Sequence, residues 1–298
     1  MNLSLVTYFS SEPLVFVIVA SLLSLAVGSF LNVVIYRLPI MLERDWRAEC
    51  AAAGLTDSGS PEPAEKFNLV VPRSRCPHCD HQIKAWENIP VISFIFLKGK
   101  CGNCRKPISP RYPFVETLTA ILSGITAAHF GPSLAGLAAI LLVWALVALA
   151  FIDFDHQILP DVITLPMLWL GLLFNSRELF ASLESALFGA VAGYISLWLV
   201  YQVFKLVTKK EGMGFGDFKL LALFGAWLGW QQLPLIILLS SFAGAFIGLA
   251  MIIILGRDKQ LPMPFGPFLC IAGWISLLWG NDIINNYLQL FRVSTFPV

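Results

Sequence analysis

Charge is what this 298-residue sequence has least of. Asp, Glu, Lys and Arg together supply 13% of it, about half the share of an average soluble domain, while hydrophobic residues reach 57%. That scarcity excludes an ordinary water-soluble globule and reads as a polytopic membrane protein. Basic residues are missing from the first thirteen positions. A cleavable leader needs a basic start and a shorter apolar core than the run ending at Arg37, so this run is read as a retained span. No fixed-period repeat and no pair of similar halves occurs, which argues against repeat arrays and inverted-repeat transporters. No serine sits in a nucleophile elbow, and residues 37–112 hold no G-x-G-x-x-G after a strand, so the usual nucleotide fingerprint is absent.

What is present is a series of apolar runs at 14–36, 113–131, 134–152, 162–175, 183–205, 218–232, 234–256 and 265–281. A span needs about 20 apolar residues. The expected fold is therefore all-α, with about eight transmembrane helices and one insertion between the first two. The expected domains are a first span (1–36), an inserted loop (37–112), a helical bundle (113–281) and a C-terminal tail (282–298). The loop carries 12 of the 20 Lys and Arg. Positive charge close to span ends stays inside, so the N-terminus is expected outside and the loop in the cytoplasm. Carried along eight spans, this places residues 153–161 and 205–217 on the cytoplasmic face, together with the "GRDKQ" turn at 256–260. Residues 51–65, "AAAGLTDSGSPEPAE", read as a flexible surface segment. No nucleic-acid partner is expected.

Two C-x-x-C pairs stand in the loop, "CPHC" at 76–79 and "CGNC" at 101–104. Each turn can aim two sulfurs at one ion, and two such turns complete a tetrahedron, so Cys76, Cys79, Cys101 and Cys104 are expected to hold a structural zinc. The alternative of two disulfides suits a reducing cytoplasmic loop poorly. His78 and His81 could substitute, but four cysteines already close the shell. Cys50 and Cys270 have no partner pattern and read as ordinary residues.

The acids are the harder puzzle, because "FIDFDHQILPD" at 151–161 packs three aspartates directly after an uncharged run. Asp161, after Pro160, reads as a helix cap. Asp155 points to a different helical face from Asp153 and is read as solvated, or as tuning its neighbour. His156 reads as a local hydrogen-bonding residue. Asp153 lies nearest the membrane. Asp217 ends "GMGFGD", whose alternate glycines let a backbone run tightly and approach another chain closely. An acid at membrane depth is a functional candidate. Two facing aspartates can share a proton, so that one activates water while the other protonates the developing oxyanion. Asp153 and Asp217 are the expected pair. A proton-relay transporter would want acids at the midplane and related halves, and neither is found. A presenilin-like peptidase would not explain the cysteine loop.

These stretches together resemble the type IV prepilin peptidases, nearly end to end. The likeness lies in "GSFLNVVIYRLP" at 28–39, the twin C-x-x-C pairs, "RYPFVE" at 111–116, "DFDHQILPD" at 153–161, "GMGFGDFKL" at 212–220 and "PFGPFL" at 264–269. The G-x-G-D element, Gly214 to Asp217, is shared with intramembrane aspartyl proteases generally. The resemblance implies a multi-pass protein of the bacterial inner membrane whose catalytic pair is Asp153 and Asp217. It would cut the short basic leader of a prepilin or pseudopilin, of a pilus or type II secretion system, at the cytoplasmic face. It would then methylate the new N-terminal residue from S-adenosylmethionine. No residue is assigned to the methyl-transfer step.

Overall fold

A computed structural model of the chain describes residues 3–54, 67–210, 212–255 and 263–294. Among them are ten α-helices: α1 Leu3–Ser11, α2 Pro13–Ala52, α3 Ile92–Phe96, α4 Arg111–Phe130, α5 Leu134–His156, α6 Asp161–Asn175, α7 Leu183–Thr208, α8 Phe215–Leu228, α9 Leu233–Leu255 and α10 Gly266–Ser294. The described residues contain no strand, only two isolated bridges. The expected all-α membrane class is therefore observed. The "GRDKQ" turn and most of the flexible 51–65 segment lie outside the described residues.

Each of the eight apolar runs coincides with a helix, but five helices are long and apolar enough to cross a bilayer by themselves. They start at Pro13, Leu134, Leu183, Trp230 and Gly266. α6 and α8, with 15 and 14 residues, reach only about 22 and 21 Å at ~1.5 Å per residue, against a hydrocarbon core of about 30 Å. α4 carries Arg111, Glu116 and His129 and so falls below a span's hydropathy.

Two compact units divide the chain, Met1–Pro132 and Ser133–Val298. The division differs from the expected one, since α4 belongs with the first unit rather than with a bundle beginning at 113. In that unit α2 and α4 pair closely. A β-carbon at Gly28 would stand 2.8 Å from the Glu116 Cα, and Asn32 Nδ2 donates to the Tyr112 carbonyl at 3.1 Å. α2 is 40 residues long and continues as helix well past the expected end of the first span at residue 36. Just beyond that point the buried Arg37 donates to the carbonyls of Asn68 and Pro72 at 2.9 and 2.6 Å. It thereby ties the start of the cysteine segment to the helix.

In the second unit α8 is buried along nearly its whole length. Short of spanning length, it is held by its neighbours. Toward α7, a β-carbon at Gly225 would run into the Gly189 carbonyl, and one at Gly193 would lie 2.6 Å from the Leu221 carbonyl. Close backbone approach of this kind is how helices associate where lipid removes the hydrophobic drive. Toward α6, Asn175 is saturated. Its Nδ2 donates to the carbonyls of Ala226 and Trp227 at 2.9 and 2.8 Å, and its Oδ1 accepts from the N–H groups of Phe180 and Ala181. The two carbonyls are among those a helix end leaves unpaired. Trp227, fully buried, donates its indole N–H to the Met167 carbonyl at 2.7 Å. α10 packs on α5 and α9 and runs to Ser294, so most of the expected 282–298 tail is the end of this helix.

Gly225→Ala should lower the melting temperature in detergent by at least about 5 °C, since backbone rather than a movable side chain blocks the added carbon. Gly244→Ala is the control, because its nearest neighbour lies at an ordinary 3.5 Å and little change is expected. Equal melts would show that the α7–α8 contact carries no stability.

Candidate active site and cysteine cluster

α5 ends one turn after it has brought Asp153 out of its apolar run. The helix stops because Gln157 takes a left-handed conformation (φ 55), with its N–H on the Asp153 carbonyl. Asp153 is 5% exposed. One of its partners comes from far along the chain, for the Gly266 N–H donates to Asp153 Oδ2 at 2.9 Å. Gly266 opens α10, where the first N–H groups lack partners inside the helix. The glycine is required by proximity: a β-carbon there would lie 2.7 Å from Asp153 Oδ2.

Asp217 sits in the first turn of α8, 7% exposed, with its N–H on the Gly214 carbonyl at 3.2 Å. Asp153 and Asp217 interact electrostatically, so the fold brings the two expected residues to one place. The glycines before Asp217 serve one of the two purposes expected of them. None of Gly212, Gly214 and Gly216 has a positive φ, so no tight left-handed turn is involved. Close approach is: a β-carbon at Gly216 would lie 2.7 Å from Leu159 Cβ, and one at Gly212 2.6 Å from the Phe204 ring.

One sequence reading changes. Asp161 does not cap α6, whose cap position is Pro160. As the first helical residue it takes an ion pair from Lys219 at 2.7 Å instead, which links the start of α6 to the start of α8. Cys270, read as ordinary, is buried one turn into α10 and has no cysteine partner. Asp155 is exposed, as expected of a solvated neighbour, and His156 lies exposed at the end of α5. Sequence reasoning missed Gly266 as a site residue. Its signal was a glycine followed by proline at a helix start, which marks an N-terminus but not what that N-terminus faces.

The cysteine cluster belongs to the first unit. The four sulfurs all lie within 4.8 Å of one another, with Cys76–Cys104 at 3.9 Å and Cys79–Cys101 at 4.0 Å. Four sulfurs at roughly 2.3 Å from one ion stand about 3.8 Å apart, so the group fits a tetrahedral metal. A disulfide would need about 2.05 Å, and all four cysteines are free. The two turns are built alike. In each, the residue after the second cysteine is left-handed (Asp80, φ 51; Arg105, φ 60). In each, the first cysteine's N–H bonds five residues ahead, to His81 and Lys106. Backbone N–H groups of Cys104 and Asn103 hold the Cys101 thiol down at about 6. The His81 N–H lowers Cys79 likewise. Both favour the thiolate that a metal requires. His81 is engaged elsewhere, 3.3 Å from Glu87 Oε2, and His78 is exposed.

Known proteins match nearly the full length of the chain. Residues 22–130 match the family described as Bacterial Peptidase A24 N-terminal domain, and residues 140–249 match the Type IV leader peptidase family. A protein of Stutzerimonas stutzeri named prepilin leader peptidase/N-methyltransferase is 57% identical, over 97% of this chain and 99% of its own. One of the same name from Pseudomonas aeruginosa is 57% identical over 96% and 98%, and one from Aeromonas hydrophila 57% over 91% and 93%. No solved structure gives a significant match.

The Asp161–Lys219 pair is half exposed, with side chains 53% and 29% accessible. A double-mutant cycle on thermal stability with Asp161→Asn and Lys219→Gln should therefore return a coupling of only about 0.2–1 kcal/mol. A coupling of several kcal/mol would mean the pair governs how α6 and α8 meet.

Proposed function

This chain belongs to the type IV leader peptidase family, and on that premise we propose that Asp153 and Asp217 are the acid–base pair that cuts a prepilin or pseudopilin leader. The chain is an enzyme, a leader peptidase that also N-methylates its product. The observation that carries the assignment of residues is the burial of two carboxylates from different helices within electrostatic range of each other. One of the pair holds a proton and the other takes one from water, which attacks the peptide carbonyl as the protonated partner neutralises the developing oxyanion. The Gly266 N–H fixes the orientation of Asp153 through Oδ2.

The topology reading puts both aspartates at the cytoplasmic face of the bacterial inner membrane, where the positive charge of residues 37–112 belongs. In the first unit, Cys76, Cys79, Cys101 and Cys104 hold a structural zinc. Four thiolates close a tetrahedral shell, which is the make-up of a structural rather than a catalytic site. Methyl transfer uses S-adenosylmethionine. It requires a bound donor and a deprotonated, correctly placed amine, and proximity supplies much of its acceleration. Nothing in it requires the carboxylate pair.

Asp153→Asn and Asp217→Asn should each lower cleavage of a purified prepilin by at least about a hundredfold, with membrane-inserted protein unchanged and Asp155→Asn far less affected. Asp217→Asn should still transfer a labelled methyl group to a pilin supplied already cut. Wild-type cleavage by either variant would sink the pairing, and loss of methylation in folded protein would mean that the aspartates serve both reactions.

Metal analysis of the purified protein should find about one zinc per chain, released on acidification as the four thiolates take up protons. Cys50→Ser and Cys270→Ser should leave the content unchanged. Folded protein with four titratable thiols and no metal would reject the site.

A further inference from the structure

The stretch between the two cysteine turns carries apolar side chains that the protein leaves uncovered. In α3, Ile92, Ile95 and Phe96 are 49%, 67% and 82% exposed. Spaced i, i+3 and i+4, they share one face. Phe94 turns the other way, toward Gly99. Trp86 and Ile89, shortly before α3, are exposed as well. A clustered apolar surface of this kind marks a site of contact, and the depth of α3 says with what.

α2 and α4 run antiparallel, with Asn32 level with Tyr112 and Gly28 level with Glu116. The exposed Tyr36 and Tyr112 mark the end of the apolar part of this pair, and aromatic side chains with a polar tip concentrate where hydrocarbon meets headgroups. Glu116 lies one turn further in, about 6 Å along the helix. It is to Glu116 Oε2 that the Val91 N–H, at the entry of α3, donates at 2.8 Å. The start of α3 is thus pinned one turn past Tyr112, beside the apolar part of α2 and α4.

Charge names the lipid. From residue 82 to 115 the chain holds six cations, Lys84, Lys98, Lys100, Arg105, Lys106 and Arg111, and one acid, Glu87. That acid is occupied by the Lys84 N–H and His81. Lys98 and Lys100 follow α3 directly, and the Lys84 ammonium lies 6.0 Å from the Trp86 ring. Apolar side chains at the interface with lysines beside them are the make-up of a segment that lies on an anionic bilayer.

We propose that α3, with Trp86, is an interfacial anchor. It seats the cysteine segment in the leaflet at the level of Arg37 of α2 and of Arg111 at the start of α4, against anionic phospholipid. The anchor holds the segment beside the membrane face at which a membrane-borne substrate arrives, and it does so whichever residues carry the catalysis.

The test places a photoreactive p-benzoylphenylalanine at Phe96 or, separately, at Ile95 in the full chain, reconstituted in vesicles rich in phosphatidylglycerol. The probe at Phe242, 73% exposed in α9, serves as the lipid-facing reference. Retained prepilin cleavage shows that each variant is folded, and either position alone suffices. Lipid adducts are expected at a yield within about twofold of the reference. The yield should fall at least about fivefold in pure phosphatidylcholine, because each interfacial lysine contributes to anionic binding. Equal yields in the two lipids would overturn the assignment to anionic lipid. Adducts confined to protein, whether this chain or a second copy, or reaction with water alone, would overturn the anchor itself.

Discussion

At about 21 Å for its 14 residues, α8 falls short of a hydrocarbon core of about 30 Å, so its neighbours determine where it stands. α7 offers glycine backbone at 189 and 193, and α6 offers the Asn175 amide and a carbonyl for Trp227. The placement of Asp217 follows from these contacts, because it rides on the first turn of α8. A backbone-to-backbone contact leaves no side chain free to yield, and a saturated amide leaves no lone pair unused. The position of the acid is therefore fixed by groups that have no alternative arrangement.

Asp153 is fixed by a different device. Its helix ends at a left-handed residue one turn on, and its carboxylate is held by the first N–H of a helix more than a hundred residues later. An unpaired N–H and a buried carboxylate each carry a desolvation cost, and the bond between them relieves both. The glycine that makes the contact has no β-carbon to obstruct it. In the first unit the cysteine turns follow the same economy of parts. Two copies of one backbone shape, each closed by a left-handed residue, face four sulfurs toward one point.

The sequence revealed the parts whose cause is local. Composition gave the membrane class, because hydropathy is a property of each residue summed over a run. The cysteine spacing gave the cluster, because a C-x-x-C turn fixes its own geometry. The aspartates were legible because acids at the ends of apolar runs are conspicuous. What depends on distant partners was not legible. Nothing near residue 266 says that its N–H meets residue 153, and nothing near Asp161 says that Lys219 will claim it. The span count of eight treated every apolar run as crossing. Five of the eight corresponding helices are long and apolar enough to cross by themselves, whereas the short α8 is surrounded by protein, and a run buried in protein looks the same as one bathed in lipid. Likewise α2 gave no sign that its helix would persist through the charged residues 43–49, which are compatible with helix in water.

The order of helices along the chain makes the site a late product of synthesis. α6 and α7 both precede α8, so the socket is complete before Asp217 leaves the ribosome. The donor to Asp153 opens α10, which follows all the other helices named here, and is therefore the last of these contacts to form. A nascent chain halted between α8 and α10 holds both carboxylates with that orienting bond still missing.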